Sequence, residues 1–72
     1  MDDFFSNKVI IESGDLVKHP VSGHYGIVIE KTPSGMWSVD WIMDKNQKVL
    51  SQVIYTAEYE STLGVVIKSA SA

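Results

Sequence analysis

Two histidines in one loop are the residues best suited to chemistry. His19 and His24 flank a loop that contains Pro20 and Gly23, and Asp15 lies upstream. Two imidazoles and a carboxylate are groups that zinc or copper accept as ligands. The spacing matches no helix or hairpin register, and no third strong ligand is evident. We therefore expect two polar loop side chains, with no bound metal and no other cofactor.

Catalytic chemistry has little basis in the sequence. The chain has no cysteine, which excludes a thiol nucleophile, a zinc–thiolate site and a disulfide framework. Neither the G-x-S-x-G turn of hydrolases nor the G-x-x-x-x-G-K-[ST] phosphate loop is present. Glu58 and Glu60 suggest paired carboxylates, but a solvated acidic turn is the commoner arrangement. We predict that the protein is not an enzyme.

Aromatic side chains are the strongest signal for binding. Trp37 and Trp41 fall on positions of equal parity, so in a strand they share a face. With Tyr25 and Tyr55 they can form a surface for a peptide, a base or a cation. The alternative is that both tryptophans point into the core. The residues predicted to contact a partner are His24, Tyr25, Trp37, Trp41 and Tyr55, together with Phe4 and Phe5 near the start of the chain.

The charge balance favours a protein partner over a nucleic acid. The basic residues are six lysines, and nine acids give a net charge of −3. Duplex affinity comes mainly from basic groups that neutralise phosphates, and base recognition favours the arginine fork. An acidic surface is complementary to a basic protein. A local patch at Lys45 and Lys48 keeps nucleic acid as the alternative.

The elements that must position these side chains are short strands. A chain of 72 residues, 44% of them hydrophobic, allows one small domain. Turn residues separate five apolar stretches, which predicts an all-β fold. The expected strands cover residues 16–19, 26–31, 36–43, 49–55 and 63–68, with a short helical turn near 57–61.

The strongest local signal is the turn Thr32-Pro33-Ser34-Gly35. Proline presets φ for the second turn position and glycine supplies a positive φ. Residues 27–31 and 36–40 should therefore form an antiparallel hairpin. Both faces of the third and fourth strands carry large apolar groups, which favours a curved sheet that closes on itself.

The first thirteen residues are unusually apolar for a leader. The apolar residues of the leader cannot all stay exposed without cost in a monomer; they are Phe4, Phe5, Val9, Ile10 and Ile11. Residues 8–12 either add a sixth strand or cover one end of the sheet, or else the leader docks on another subunit and makes a homo-oligomer. The acidic start and the lack of an 18-residue apolar run indicate a cytoplasmic protein that spans no membrane.

The order of several short motifs is familiar. Gly14-Asp15-Leu16-Val17, Tyr25-Gly26-Ile27-Val28-Ile29-Glu30, Trp37-Ser38-Val39-Asp40-Trp41 and Leu63-Gly64-Val65-Val66-Ile67 resemble, in that order, the strands of small SH3-like barrels. Many such chains are encoded by bacteriophages and have no assigned activity. The resemblance implies a five-stranded, or six-stranded, SH3-like barrel over residues 14–68, preceded by the leader (1–13) and followed by a disordered tail (69–72).

Barrels of this shape serve many unrelated functions, so the resemblance alone does not decide the activity. Combined with the charge, it implies a non-enzymatic, phage-encoded protein-binding module. Such a module would engage a host protein or act as a small virion or assembly component. The alternative is a nucleic-acid-associated SH3-like barrel.

Overall fold

The computed structural model describes residues 10–69 and forms a five-stranded antiparallel sheet. The strands are β1 (Leu16–Lys18), β2 (Tyr25–Lys31), β3 (Trp37–Met43), β4 (Val49–Glu58) and β5 (Gly64–Ile67). Their spatial order is β4-β3-β2-β1-β5. The predicted all-β fold is confirmed. Over the described range no helix is long and apolar enough to cross a membrane.

The hairpin between β2 and β3 forms at the predicted turn. The Thr32 N–H donates to the Met36 carbonyl at 2.8 Å, and the Gly35 N–H donates to the Thr32 carbonyl at 2.9 Å. Gly35 has φ 88°, which a residue with a side chain rarely adopts. Turn chemistry therefore sets this connection, as the sequence indicated.

The predicted helical turn is displaced. Residues 57 and 58 belong to β4, where Glu58 pairs with Trp37 across the sheet. A 3-10 turn follows at Glu60–Thr62 instead of near 57–61. The shift arises because strand pairing with β3 continues three residues beyond Tyr55.

Closure of the sheet and a sixth strand are not found in the described part of the chain. β4 and β5 lie at opposite edges and do not pair there. Where β1 ends, His19 faces Glu58 at the end of β4 through side chains, with 3.8 Å between Nε2 and Oε1. Residues 10–12 are not a strand: Ile11 is buried, and its N–H donates to Glu60 Oε2. Residues 1–9, with Phe4 and Phe5, lie outside the described residues.

The core lies on one face of the sheet. Valines on β1, β2 and β3 alternate onto this face, and Val28 sits opposite Val39. The buried hydrophobic side chains of the described range are Ile11, Val17, Val28, Val39, Trp41 and Leu63. Trp37 is half-buried and packs against this cluster. Both tryptophans thus face the core, the second of the two orientations that the sequence left open.

Asp15 is a fully buried carboxylate that joins the two ends of the domain. Its Oδ2 accepts hydrogen bonds from the Glu12 N–H at 2.9 Å and from Lys68 Nζ at 2.8 Å. Its Oδ1 accepts the Ser69 N–H at 2.6 Å. Lys68 also donates to the Ile10 carbonyl. The segment before β1 is therefore tied to the segment after β5, and Ser69, the first residue of the predicted tail, takes part.

These contacts determine the ionisation of the pair. Burial raises the pKa of Asp15, but the hydrogen bonds from Lys68, Ser69 and Glu12 outweigh it and hold the pKa below 3.8. The hydrogen bond to Asp15 raises the pKa of the Lys68 amine above 10.5. Both shifts favour the charged pair in the folded state.

Replacing Gly26 should test the packing of β2 on β3. A Cβ at this position would lie 2.7 Å from both Trp41 Cε3 and Val39 Cγ1 and 2.9 Å from the Asp40 carbonyl oxygen. We expect Gly26→Ala to lower the free energy of unfolding by about 3 kcal/mol in urea titrations. Gly64→Ala is the control, because its Cβ would meet only the Lys18 carbonyl oxygen, at 3.7 Å. Equal effects of the two substitutions would contradict this packing.

Acid should unfold the protein partly through Asp15. A lowered folded-state pKa contributes stability that is full above the unfolded value and is lost as pH falls through the folded value. Near neutral pH, we expect Asp15→Asn to lower the free energy of unfolding by about 2 kcal/mol. Below the ordinary value of 3.8, the difference between variant and parent should shrink.

The control for Asp15→Asn is Glu30→Gln, which removes an exposed carboxylate from β2. Its urea midpoint should follow that of the parent protein at each pH. A constant difference between Asp15→Asn and the parent from neutral pH to strong acid would show that the charge of Asp15 does not stabilise the fold.

Candidate functional site

A cleft lies between the β1–β2 loop, β3 and β4. Its volume is about 230 Å³. It is lined by His19, Ser22, His24, Trp41, Ile54, Thr56 and Glu58. We call it the Trp41 cleft. Its walls are aromatic and aliphatic, and its polar groups are few, which is the usual composition of a binding cleft.

Trp41 forms the wall nearest the core. Its side chain is buried, and the His19 ring packs edge-on against it with 5.7 Å between ring centroids. The indole Nε1–H donates to Thr56 Oγ1 at 2.6 Å. β3 pairs Trp41 with Ile54, so Thr56 is two residues farther along β4 and on the same face. The ring is thus held by packing on one side and by a hydrogen bond on the other.

Thr56 also donates a hydrogen bond, to a carboxylate. The Thr56 Oγ1–H donates to Glu58 Oε2 at 2.7 Å. The Glu58 side chain is 19% exposed, because Thr56 and His19 cover much of it. Strand alternation places Ile54, Thr56 and Glu58 on one face of β4. One strand therefore supplies the aliphatic wall, the hydroxyl and the charge of the cleft.

His19 is oriented by the backbone of its own loop. Its Nδ1 accepts hydrogen bonds from the Val21 N–H at 3.1 Å and, more weakly, from the Ser22 N–H at 3.4 Å. A nitrogen that accepts carries no proton, so in the neutral ring the proton is on Nε2. Nε2 lies 3.8 Å from Glu58 Oε1, which is too far for a hydrogen bond. Among the described residues Oε1 therefore makes no hydrogen bond, and the His19 ring is its ionisable neighbour.

The β1–β2 loop is closed by backbone hydrogen bonds that bring His24 to the cleft. The His19 N–H donates to the His24 carbonyl, and the Gly23 N–H donates to the His19 carbonyl, both at 2.9 Å. Gly23 has φ 78°, a conformation suited to glycine. The His24 N–H donates to Ser22 Oγ at 3.2 Å. These bonds hold both histidines on the same side of the sheet.

The structure brings together only part of the predicted contact surface. His24 and Trp41 line the cleft. Tyr25 follows His24 but its ring lies under Lys18 Nζ, at 5.4 Å, outside the cleft lining. Tyr55 is 63% exposed and, by strand alternation, on the opposite face of β4 from Thr56.

Trp37 and the two phenylalanines complete the predicted set. Trp37 packs on the core, with Lys31 Nζ 5.7 Å from its ring centroid. Within residues 10–69 its buried Nε1–H has no hydrogen-bond partner. Phe4 and Phe5 lie outside the described residues, so their predicted contact role is left as it was.

Five cleft residues were not predicted as contacts: His19 and Ser22 in the β1–β2 loop, and Ile54, Thr56 and Glu58 on β4. Ile54, Thr56 and Glu58 sit in the part of the strand that pairs with Trp37 to Trp41. The sequence carried one usable signal: two-residue periodicity from Ile54 extends onto Thr56 and Glu58 if the strand continues past Tyr55. The prediction ended the strand at Tyr55 and gave Glu58 to a turn.

The histidine and carboxylate groups do not assemble a metal site in the described chain. Among residues 10–69, no three His, Cys, Asp or Glu side chains are placed to hold a metal ion. Asp15, considered from the sequence as a third ligand, is buried and bonded to Lys68 and Ser69. The Trp41 cleft is therefore described by hydrogen bonding and packing alone.

Comparison with protein-family models, curated proteins and solved structures finds no match for this chain. Its function must then be argued from the side chains of the cleft. The groups that matter for this are the apolar walls, the Thr56 hydroxyl and the Glu58 carboxylate.

The hydrogen bond between Trp41 and Thr56 can be tested directly. Thr56→Val keeps the shape but leaves the indole N–H of Trp41 without its acceptor. We expect a loss of about 1–2 kcal/mol in the free energy of unfolding, and a shift of the Trp41 indole N–H resonance in NMR spectra.

Thr56→Ser is the matched control, because it keeps the hydroxyl. It should retain the indole resonance position and lose less than about half as much stability. If Thr56→Val leaves both the resonance and the stability unchanged, the indole is not held by Thr56.

Proposed function

We propose that this chain is a non-enzymatic protein-binding module and that the Trp41 cleft is its contact site. The observation that carries the proposal is a preformed cleft with aromatic and aliphatic surface and one carboxylate, Glu58, among its polar lining groups. Preformed clefts of this kind bind without a large ordering cost. The bonds from Trp41 to Thr56 and from Thr56 to Glu58 supply that preorganisation.

The hydrogen bonding of the cleft supports binding over catalysis. Nucleophilic catalysis needs a hydroxyl whose lone pair is free to attack and a base oriented to take its proton. Thr56 Oγ1 accepts the Trp41 N–H and donates to Glu58 Oε2, and these two bonds fix the hydroxyl as a structural link between the two side chains. His19 Nδ1 is occupied by the loop backbone. The imidazole is therefore placed as a wall of the cleft.

Charge supports a protein partner over a nucleic acid. The net charge is −3, and the cleft is lined by a carboxylate that would repel phosphate. A basic protein surface has the complementary potential. Nucleic-acid association is the alternative. It predicts that material from a cell extract binds the immobilised protein only when the extract has not been treated with nuclease.

We further propose that the sheet is a partly open SH3-like barrel. The strand order β4-β3-β2-β1-β5 and the short 3-10 turn before the last strand support this. Phage origin rests on the sequence resemblance alone, as does a role with a host protein or in virion assembly. A cytoplasmic location is proposed from the acidic start and the lack of a long apolar run in the sequence. Self-association is proposed from the apolar leader.

Two adjacent residues of β4 allow a sharp test. Ile54 lines the cleft, whereas Val53 is 73% exposed and outside its lining. Immobilised parent protein, Ile54→Ser and Val53→Ser would each be incubated with a bacterial host extract treated with nuclease. We expect the parent and Val53→Ser to retain the same protein and Ile54→Ser to lose at least about nine-tenths of it, since removing a buried aliphatic contact costs about 1.4 kcal/mol or more.

Circular dichroism and urea titration establish that both variants fold. Equal retention by folded Ile54→Ser and the parent would contradict the cleft as the contact site. Loss of all retained material on nuclease treatment would favour the nucleic-acid alternative.

A further inference from the structure

Within residues 10–69, the carboxylate of Glu58 has one oxygen in a hydrogen bond and one without. Oε2 accepts the Thr56 hydroxyl at 2.7 Å. Oε1 faces His19 Nε2 at 3.8 Å, beyond hydrogen-bond distance. The side chain is 19% exposed, so the carboxylate as a whole has limited contact with water for an ionised group. An anion in that position gains most from a ligand that brings both a positive charge and a hydrogen-bond donor.

We propose that the Trp41 cleft takes the side-chain ammonium of a lysine from the partner, with Glu58 Oε1 as its counter-ion. This inference rests on the proposed function and names the chemistry of the group that the site recognises.

The single open oxygen favours an ammonium over a guanidinium. Arginine gains its advantage from a planar fork that meets both oxygens of a carboxylate. Here Oε2 already accepts the Thr56 hydroxyl, so a guanidinium could donate without competition to only one oxygen of the carboxylate. An ammonium is a compact donor that needs one oxygen of the carboxylate and can turn its remaining hydrogens elsewhere.

Further acceptors line the same cleft. Ser22 Oγ accepts the His24 N–H and keeps a second lone pair. A neutral imidazole at His24 offers one unprotonated nitrogen. An ammonium has three donors, and Glu58, Ser22 and His24 are three acceptor groups on one cleft.

The walls suit the stem of a lysine. Lysine buries its four methylenes along apolar surface while its charged end stays polar. Ile54 and Trp41 provide apolar surface in the same cleft as Glu58. The negative net charge of the chain adds a long-range attraction for a basic partner.

Small probes test this site without knowledge of the partner. The ¹⁵N-labelled full chain would be titrated, near neutral pH, with n-butylammonium, n-butylguanidinium and n-butanol, which share one alkyl stem. Sodium chloride at equal ionic strength corrects for screening. The readouts are the indole N–H of Trp41 and the backbone amides of Ser22 and Thr56.

We expect saturable shifts with n-butylammonium, and weaker binding of the guanidinium and the alcohol. Glu58→Gln should weaken n-butylammonium binding about tenfold, the value of one charge-assisted hydrogen bond. Glu30→Gln, the exposed control on β2, should leave it unchanged. An unshifted Trp41 indole resonance in unliganded Glu58→Gln verifies that the cleft is intact. If the Trp41 indole resonance does shift in that variant, Ser22→Ala serves as the second variant and should weaken the binding of n-butylammonium.

The outcomes separate this inference from the proposed function. Equal or tighter binding of the guanidinium would overturn the lysine assignment, and equal binding of butanol would overturn the role of charge. Absence of n-butylammonium shifts also overturns it. In each of these cases, loss of partner retention by Ile54→Ser would still support a protein-binding cleft.

Discussion

The fold depends on the enclosed carboxylate of Asp15. It lies directly before β1 and accepts hydrogen bonds from Glu12 on one side and from Lys68 and Ser69 on the other. Because β5 pairs with β1 in the described sheet, these bonds hold the last strand in place. Burial of an ionised group is costly unless it is fully hydrogen-bonded. Satisfying Asp15 therefore requires that both ends of the domain be in position beside β1, the strand after which His19 packs against Trp41.

Much of the fold could be predicted because short-range chemistry decides it. The turn from Thr32 to Gly35 sets the β2–β3 hairpin through its proline and its positive φ. The end of β4 could not be predicted in the same way. Thr56, Ala57 and Glu58 carry no apolar alternation, and they become a strand because β3 offers them partners. Local chemistry does not decide whether the sheet closes either: in the described residues β4 and β5 are edge strands that do not pair with each other, and His19 meets Glu58 only through side chains.

The site was predictable only in part for a related reason. Composition pointed to Trp41 and His24, since an aromatic next to a polar loop is a common binding surface. It could not separate Trp41 from Trp37, because two-residue periodicity gives both the same face. Both belong to or pack on the core, and they differ in hydrogen bonding: the indole N–H of Trp41 donates to Thr56, whereas that of Trp37 has no acceptor within residues 10–69. Asp15 was considered as a metal ligand, and only the return of β5 reveals its role.

Amide hydrogen exchange at the two ends of the domain tests the role of Asp15 most directly. The N–H groups of Glu12 and Ser69 both donate to its carboxylate. If Asp15 joins the ends into one cooperative unit, these amides exchange only on global unfolding, at the rate of the Val28 amide, which is bonded to the Asp15 carbonyl in the core. Fast exchange at Glu12 and Ser69 while Val28 remains protected would contradict the account.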